Sequence, residues 1–115
     1  MIGKASSIAL SGLQVASARQ ARSAHNVANV HTEGFQAQRE VATEATPPPG
    51  VRSQATPTVH RAPVGYAAGR EIIGSNTDLS TETVERISAL HAFKANLAVV
   101  RSEDEMQQAL LGIKA

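Results

Sequence analysis

The chain has 115 residues, which fits one domain, a formal net charge of +1 at pH 7 and no cysteine. The near-neutral charge provides no overall field for nucleic acid or an anionic membrane, and the lack of thiols excludes disulfides and thiol chemistry. Only 3% of the residues are aromatic, so few large side chains can fill a core, and we expect stability to come partly from neighbouring molecules.

The first segment, residues 1–31, is predicted to be a helix because its apolar residues recur every three or four positions. Its many alanines favour helix and allow a second helix to approach closely. Gly12 is unfavourable there by about 1 kcal/mol relative to alanine. Serines interrupt the apolar positions, so we expect no cleaved secretory signal peptide. No apolar run approaches the roughly 20 residues of a membrane span.

The middle segment, residues 32–76, is predicted to be an irregular linker rich in proline and glycine. The stretch TPPPG at 46–50 excludes a long helix and favours an extended polyproline path. Short strands are compatible with this segment, for example around TVHRAPVGY at 58–66.

The last segment, residues 77–115, carries the strongest helical periodicity, and Thr77 or Asp78 can cap its start. It contains more acids than bases, whereas residues 1–31 contain bases and no acid, so the two helices are expected to pair. The predicted fold class is therefore all-α, with the two terminal helices forming one antiparallel hairpin or coiled coil. The predicted packing stripe is Leu10, Leu13, Leu90, Phe93, Leu97 and Val100.

No constellation for catalysis is visible. The four histidines fit no metal-ligand spacing, and the glycines between 65 and 74 fit no phosphate loop. Arg19 and Arg22 lie on one helix face but lack the interleaved aromatics of a nucleic-acid surface. We therefore expect no enzyme activity, no cofactor, no metal and no nucleic acid, and the helical stripes point to an assembly role.

The stretch SAHNVANVHTEGF at 23–35 places Asn26 and Asn29 one helical step apart, just before a turn. Asparagine both donates and accepts hydrogen bonds, Gly34 permits a chain reversal, and Phe35 can fold back as an anchor. Our hypothesis is that this motif fixes the exit of the first helix and hydrogen-bonds a neighbouring molecule. The alternative is a simple helix C-cap without intersubunit contact.

Residues 9–38 resemble the N-terminal motif of the bacterial flagellar rod and hook axial proteins, which reads Ser-Gly-Leu and later Asn-[Ile/Val]-Ala-Asn-x-x-Thr-x-Gly-[Phe/Tyr]. Residues 75–114 are similar to the ending of the same family, with an Asn-x-Asp-Leu-[Ala/Ser]-x-Glu motif and an Ala-x-x-Ala-[Tyr/Phe]-x-Ala-Asn motif. The matching positions give these candidate assembly residues: Asn26, Asn29, Thr32, Gly34, Phe35, Asn76, Asp78, Leu79, Glu82, Phe93 and Asn96.

Two departures from the family pattern are visible. His31 stands where the motif usually has Asn or Asp, and Val15 stands where alanine is commoner. The middle segment is also short, so the chain looks most similar to the small proximal-rod proteins and has no room for the large β-rich insertions of hook members.

The resemblance implies a structural subunit of the proximal rod, which self-assembles with related axial proteins into a hollow drive shaft for motility. It implies copies of itself, other rod and hook proteins and the flagellar type III export apparatus as partners. It also implies a location in the basal body, reached without a cleaved signal peptide. The alternative function is a soluble helical adaptor or an export-chaperone-like protein derived from the rod family.

Overall fold

The protein is described by a computed structural model over residues 3–114, so residues 1, 2 and 115 of the predicted helical segments lie outside the described residues. The molecule is elongated, with principal extents of 79 × 25 × 15 Å. In chain order the elements are α1 (Lys4–Ala28), β1 (Gln38–Ala45), β2 (Gly50–Pro57), β3 (Val64–Ala67), β4 (Arg70–Ile73) and α2 (Leu79–Lys114).

The two helices lie side by side and antiparallel. Ser23, late in α1, contacts the start of α2, whereas Gly12 contacts Asn96 near the middle of α2 and Gly3 contacts Glu103 beyond it. Helix α2 has 36 residues and α1 has 25. At ~1.5 Å per residue α2 is roughly 16 Å longer, so its last turns extend past the start of α1.

Small side chains form the seam between the helices. Ala9, Ala16 and Ala89 are at most 3% exposed. At Gly12 a Cβ atom would lie 2.6 Å from Oδ1 of Asn96, so the carboxamide of Asn96 fills the space that a side chain at this position of α1 would need. A thin seam of this kind buries little apolar surface per residue, which limits the stability of the helix pair by itself.

The large apolar residues of the predicted packing stripe lie at the edge of this seam. Leu10, Leu90 and Phe93 are 38–50% exposed, and Leu13, Leu97 and Val100 are half-buried. Leu10, Leu13 and Val100 line one shallow depression between the helices, and Leu90 and Phe93 line a second one. Leu97 shares the helix face of Leu90 and Phe93. We call the surface formed by Leu10, Leu13, Leu90, Phe93, Leu97 and Val100 the open groove.

Strands β1 and β2 form an antiparallel hairpin, in register from Gln38 opposite Pro57 to Ala45 opposite Gly50. The hairpin packs on the face of α1 that carries Ser11 and Arg22. Between those two residues Val15 shares their helix face and is 8% exposed, so its burial accompanies the packing of the hairpin.

Strands β3 and β4 form a second antiparallel hairpin that packs against no other helix or strand among the described residues. Its turn uses positive φ angles at Ala68 and Gly69, as tight hairpins require. It is joined to the rest of the chain by a hydrogen bond from the Gly34 amide to the Ile73 carbonyl, 2.8 Å long. The side chains of β3 are all exposed.

The prediction of an all-α fold is wrong, because strands make up 22% of the chain. The middle segment forms two hairpins where an irregular linker was expected, and the proline-rich stretch at 46–49 is the turn between β1 and β2. Strand β1 is mostly exposed, and β2 is only partly buried through small or polar residues, so neither sequence shows the apolar alternation that reveals a half-buried strand.

Neither described helix contains a stretch apolar enough, over the length required, to cross a membrane.

Candidate assembly site

Asn26 is the most interconnected residue of the N-terminal motif, and it is 1% exposed. Its Nδ2 donates to the Gln38 carbonyl (2.7 Å) and to Oε1 of Glu82 (2.9 Å), and its Oδ1 accepts from the Gln38 amide (3.2 Å). The backbone carbonyl of Asn26 accepts from Oγ1 of Thr77 at 3.1 Å. This one residue therefore joins the end of α1 to the start of β1 and to the start of α2.

Asn76 plays the same role from the C-terminal motif and is 4% exposed. Its Oδ1 accepts from the Ala37 amide, and its Nδ2 donates to Oε1 of Gln36 (3.2 Å), Oγ1 of Thr58 (3.3 Å) and the His60 carbonyl (3.1 Å). The side chain thus connects the chain before β1, the chain after β2 and the approach to α2.

Asp78 caps α2. Its Oδ1 accepts from the Ser80 amide at 3.0 Å and its Oδ2 from Oγ1 of Thr81 at 2.9 Å. These bonds, that of the Thr81 hydroxyl first, hold the pKa of the exposed Asp78 carboxyl below its usual value of 3.8. The carboxylate therefore stays ionised at neutral pH, where the positive end of the helix dipole also favours it.

Glu82, one turn into α2, is 6% exposed and receives the Asn26 amide. The Glu82 backbone carbonyl accepts from the buried hydroxyl of Ser23 at 3.3 Å. We call the group Asn26, Asn76, Asp78 and Glu82 the clasp, because it fastens the adjacent ends of the two helices and the base of the first hairpin.

The turn after α1 uses the remaining residues of the N-terminal motif. Nδ2 of Asn29 donates to the His25 carbonyl (3.0 Å), and its Oδ1 accepts from Oγ1 of Thr32 (2.9 Å). Gly34 has a φ of 73°, a left-handed conformation that disfavours side chains. The Phe35 ring meets the His25 imidazole edge to face, with centroids 5.5 Å apart. The motif thus ends α1 and reverses the chain.

Both motif amides are therefore engaged within the chain. The structure brings Asn26 into contact with Glu82, and it places Asn76 and Asp78 in the segment that leads into α2. The turn after α1 contains Asn29, Thr32, Gly34 and Phe35. The role of Asn26 and Asn29 in hydrogen-bonding a neighbouring molecule stays a prediction.

Three candidate residues lie away from the clasp. Phe93 lines the open groove, and Asn96 fills the seam against Gly12 while donating to the Ala92 carbonyl at 2.9 Å. Leu79, at the first turn of α2, is 52% exposed. The motif residues therefore lie in two regions. One is the clasp at one end of the helix pair, and the other is the seam and groove along its middle.

Several residues that hold the helices and the first hairpin together were not among the predicted site residues. Ser11 accepts a hydrogen bond from the Val51 amide (3.0 Å) and so anchors β2, and Arg19 pairs with Glu85 (2.8 Å) across the helices. Ser11 falls within the recognised Ser-Gly-Leu motif, and the opposite charges of the two helices predicted a pair such as Arg19 and Glu85. Nothing in the sequence pattern indicated the hydroxyls of Ser23 and Thr77 as helix-to-helix bonds.

No group of three or more metal-ligating side chains gathers within residues 3–114. The hydrogen bonds of the clasp are formed within the chain, and they fix the positions of α1, β1 and the start of α2 relative to one another.

Residues 72–113 match the family described as Flagellar basal body rod FlgEFG protein C-terminal. The match begins in β4 and covers nearly all of α2, including Asn76, Asp78 and Glu82 of the clasp. It supports a structural role in the flagellar basal body and association with other axial proteins. No curated protein matches the chain.

Proposed function

We propose that the chain, whose residues 72–113 match the flagellar rod family, is a structural subunit of the proximal rod. In this role it assembles with copies of itself and with related axial proteins into the hollow shaft that transmits torque. The small middle segment supports the proximal position, because the two hairpins of residues 38–73 are its whole folded content between the helices.

The observation that carries this proposal is the exposed apolar surface of the helix pair. Leu90, Phe93 and Leu10 are open to solvent on one side of a seam that is built from alanine and glycine. Large apolar side chains gathered in one exposed groove are typical of protein interfaces. A subunit of an assembled shaft would cover them with its neighbours and gain the stability that its thin seam does not provide.

Export through the flagellar type III apparatus forms part of the same proposal. That route requires an unfolded chain. A helix pair with few large buried side chains has a small free energy of unfolding. Assembly would then supply the missing stability at the growing end of the rod.

The test is mass spectrometry of purified hook–basal-body particles from the native cell, with and without the gene for this chain. We expect the chain to be enriched in the particles, and the rod to be lost on deletion. A chain that stays in the cytoplasm as a defined small oligomer and is absent from the particles would contradict the rod function. That result would favour the adaptor or export-chaperone alternative.

A further inference from the structure

Helix α2 directs its acids and its bases to different sides over most of its length. Glu82 is buried in the clasp, and Glu85 forms an ion pair with Arg19 of α1 at 2.8 Å. Glu103 is half-buried against the start of α1. These three acids therefore lie on the side of α2 that meets α1.

The bases of the same part of α2 lie on another side. Arg86, Lys94 and Arg101 are exposed, and none of them forms an ion pair with another described residue. Their positions fall within about 80° of one another around the helix, and Leu90 and Leu97 lie in the same sector between them. We call these five residues the basic stripe, which extends about 22 Å along α2.

The wall of the open groove that α1 provides carries no charge opposite the basic stripe. The residues of α1 that line the two depressions are Ser6, Leu10, Leu13, Ala16, Ser17 and Gln20. The first acid on this side of α2 is Asp104, which follows one turn after Arg101 and is exposed. The near-neutral net charge of the chain therefore conceals a locally basic face with two leucines between its three cations.

We propose that the basic stripe binds an acidic helix of a different protein. Acidic residues of that helix face the three bases, and its apolar residues cover Leu90 and Leu97. This proposal rests on the proposed function as a rod subunit, and it gives the chemistry of one neighbour in the shaft.

The spacing of the basic stripe favours a helix as the partner. Its residues follow steps of four, four, three and four, at which a second helix presents side chains along one face. The cations and leucines alternate within one sector of α2. A helix that lies on a membrane instead separates its bases and its apolar residues onto opposite faces. The pattern therefore fits a protein surface of alternating acids and apolar residues.

A second copy of this chain does not present the complementary acids. Helix α1 contains no acid, and the first three acids of α2 face α1. The exposed Asp104 and Glu105 are adjacent, so they point about 100° apart. A second α2 packed antiparallel with Arg101 opposite Asp104 would place Lys94 opposite Leu111. Charge complementarity therefore selects a different protein.

The direct test measures the binding of a synthetic peptide to the full-length chain by fluorescence anisotropy. The peptide is an alanine-rich helix of about 20 residues with glutamates and leucines at the steps of the basic stripe. A second peptide has lysine in place of each glutamate. We expect the chain to bind the glutamate peptide with an affinity that falls with added salt, and not to bind the lysine peptide.

The stripe variant combines Arg86→Glu, Lys94→Glu and Arg101→Glu. We expect it to bind the glutamate peptide about tenfold more weakly or worse, because three repulsive pairs replace three attractive ones. It should bind the lysine peptide instead. Failure of the wild type to bind the glutamate peptide, or equal binding of both peptides, would overturn the proposal.

The matched control variant combines Arg39→Glu, Arg52→Glu and Arg61→Glu. These bases are also exposed and form no ion pair with another described residue, and they lie outside the open groove. The control has the same net charge as the stripe variant and should bind the glutamate peptide as the wild type does. Circular dichroism and thermal melting would check that both variants fold. Equal losses of binding in the two variants would show that net charge alone decides, against the proposal.

Two further measurements distinguish other occupants of the basic stripe. We expect the wild type not to sediment with phosphatidylglycerol vesicles. Vesicle binding that the stripe variant loses, without binding of the glutamate peptide, would assign the stripe to a lipid surface. Self-association of the wild type that the stripe variant loses would make a second copy the occupant. Either result would overturn the proposal.

Hook–basal-body particles from the native cell separate this proposal from the proposed function. We expect the control variant to enter the particles and the stripe variant to be missing from them. A stripe variant present at the wild-type level would leave the rod function intact and overturn the role of the stripe. Absence of the wild type from the particles would instead contradict the rod function, and the peptide measurements do not depend on that result.

Discussion

Three consecutive residues of α1 face three different surfaces. Successive helix positions are about 100° apart, so Ser11 faces β2, Gly12 faces α2 and Leu13 faces the open groove. Each residue type suits its surface, with a hydroxyl for a strand amide, no side chain for a close helix and an apolar side chain for a groove. The Ser-Gly-Leu motif therefore encodes the packing of α1 on all sides at one turn.

Gly12→Ala should destabilise the protein, although alanine is the better helix former by about 1 kcal/mol. The new methyl group would overlap the Asn96 carboxamide, and overpacking of this kind costs about 1–3 kcal/mol. Urea unfolding followed by circular dichroism would measure the change. Gly112→Ala is the control, because that helical glycine has open space around it and its replacement should not destabilise. Equal effects of the two substitutions would contradict the close seam.

The Asp78 carboxyl should make the free energy of unfolding depend on pH. Its hydrogen bonds to Thr81 and Ser80 lower its pKa in the folded protein, so the ionised group stabilises the fold at neutral pH. That contribution should disappear as the pH falls through the lowered pKa, below 3.8. Unfolding of the wild type and of Asp78→Asn, compared from about pH 6 to about pH 3, should show the difference in stability shrinking with acid. A difference that is constant across this range would contradict the assignment.

Asn26→Ala should cost about 2–3 kcal/mol, because it leaves the buried Glu82 carboxylate and the Gln38 backbone groups without their partner. Asn29→Ala should cost less, because Asn29 bonds only within the exposed turn. Denaturant unfolding measures both effects. Motility and rod assembly should fail first for Asn26→Ala. If cells carrying either variant assembled the rod and swam normally, the clasp would have no role in assembly.

At the scale of the element, the helices and the hairpins differ in what holds them. The helices share a seam and the clasp, and the β1–β2 hairpin packs on α1. The β3–β4 hairpin packs against no other helix or strand of the described chain. An isolated two-stranded hairpin is only marginally stable in water. The local stability should therefore fall in that order.

Hydrogen exchange measures this order directly. Amides of β3 and β4 (Val64–Ala67 and Arg70–Ile73) should exchange first, and those of α1 around Ala16 should exchange last. Protection of β3 equal to that of α1 would indicate that the second hairpin packs on a surface that the structure does not show.

The helical segments were predictable because their periodicity persists over many turns, and the structure has helices at Lys4–Ala28 and Leu79–Lys114. The strands were not predictable for the opposite reason. Only one face of β2 meets α1, and the inward positions near Val51 are small or polar, so no apolar alternation marks them.

At the scale of the whole molecule, the exposed groove makes folding and assembly separable. Leu97 lies half-buried on the groove side of α2, whereas Ala98 is exposed about 100° further round the helix. Leu97→Asp should leave the isolated chain largely folded and prevent assembly, because a charge in the covered groove loses its hydration. Motility and incorporation into basal-body particles are the measurements.

Ala98→Asp is the matched control for this substitution and should assemble. Normal incorporation of the Leu97→Asp chain would contradict the groove as an assembly surface. Loss of assembly in both variants would show that any added charge on α2 is harmful, irrespective of its face.

The sequence by itself determined the two helices and the opposite charges through which Arg19 of α1 pairs with Glu85 of α2, because these depend on local periodicity and composition. Only the tertiary structure decided that alanine and glycine form the seam and that the large apolar residues remain outside it. That outcome depends on how closely two backbones approach, which periodicity does not encode. Nor does periodicity reveal that Asn26 hydrogen-bonds Glu82 in the distant helix α2, or that Asn76 accepts a hydrogen bond from the Ala37 amide before β1.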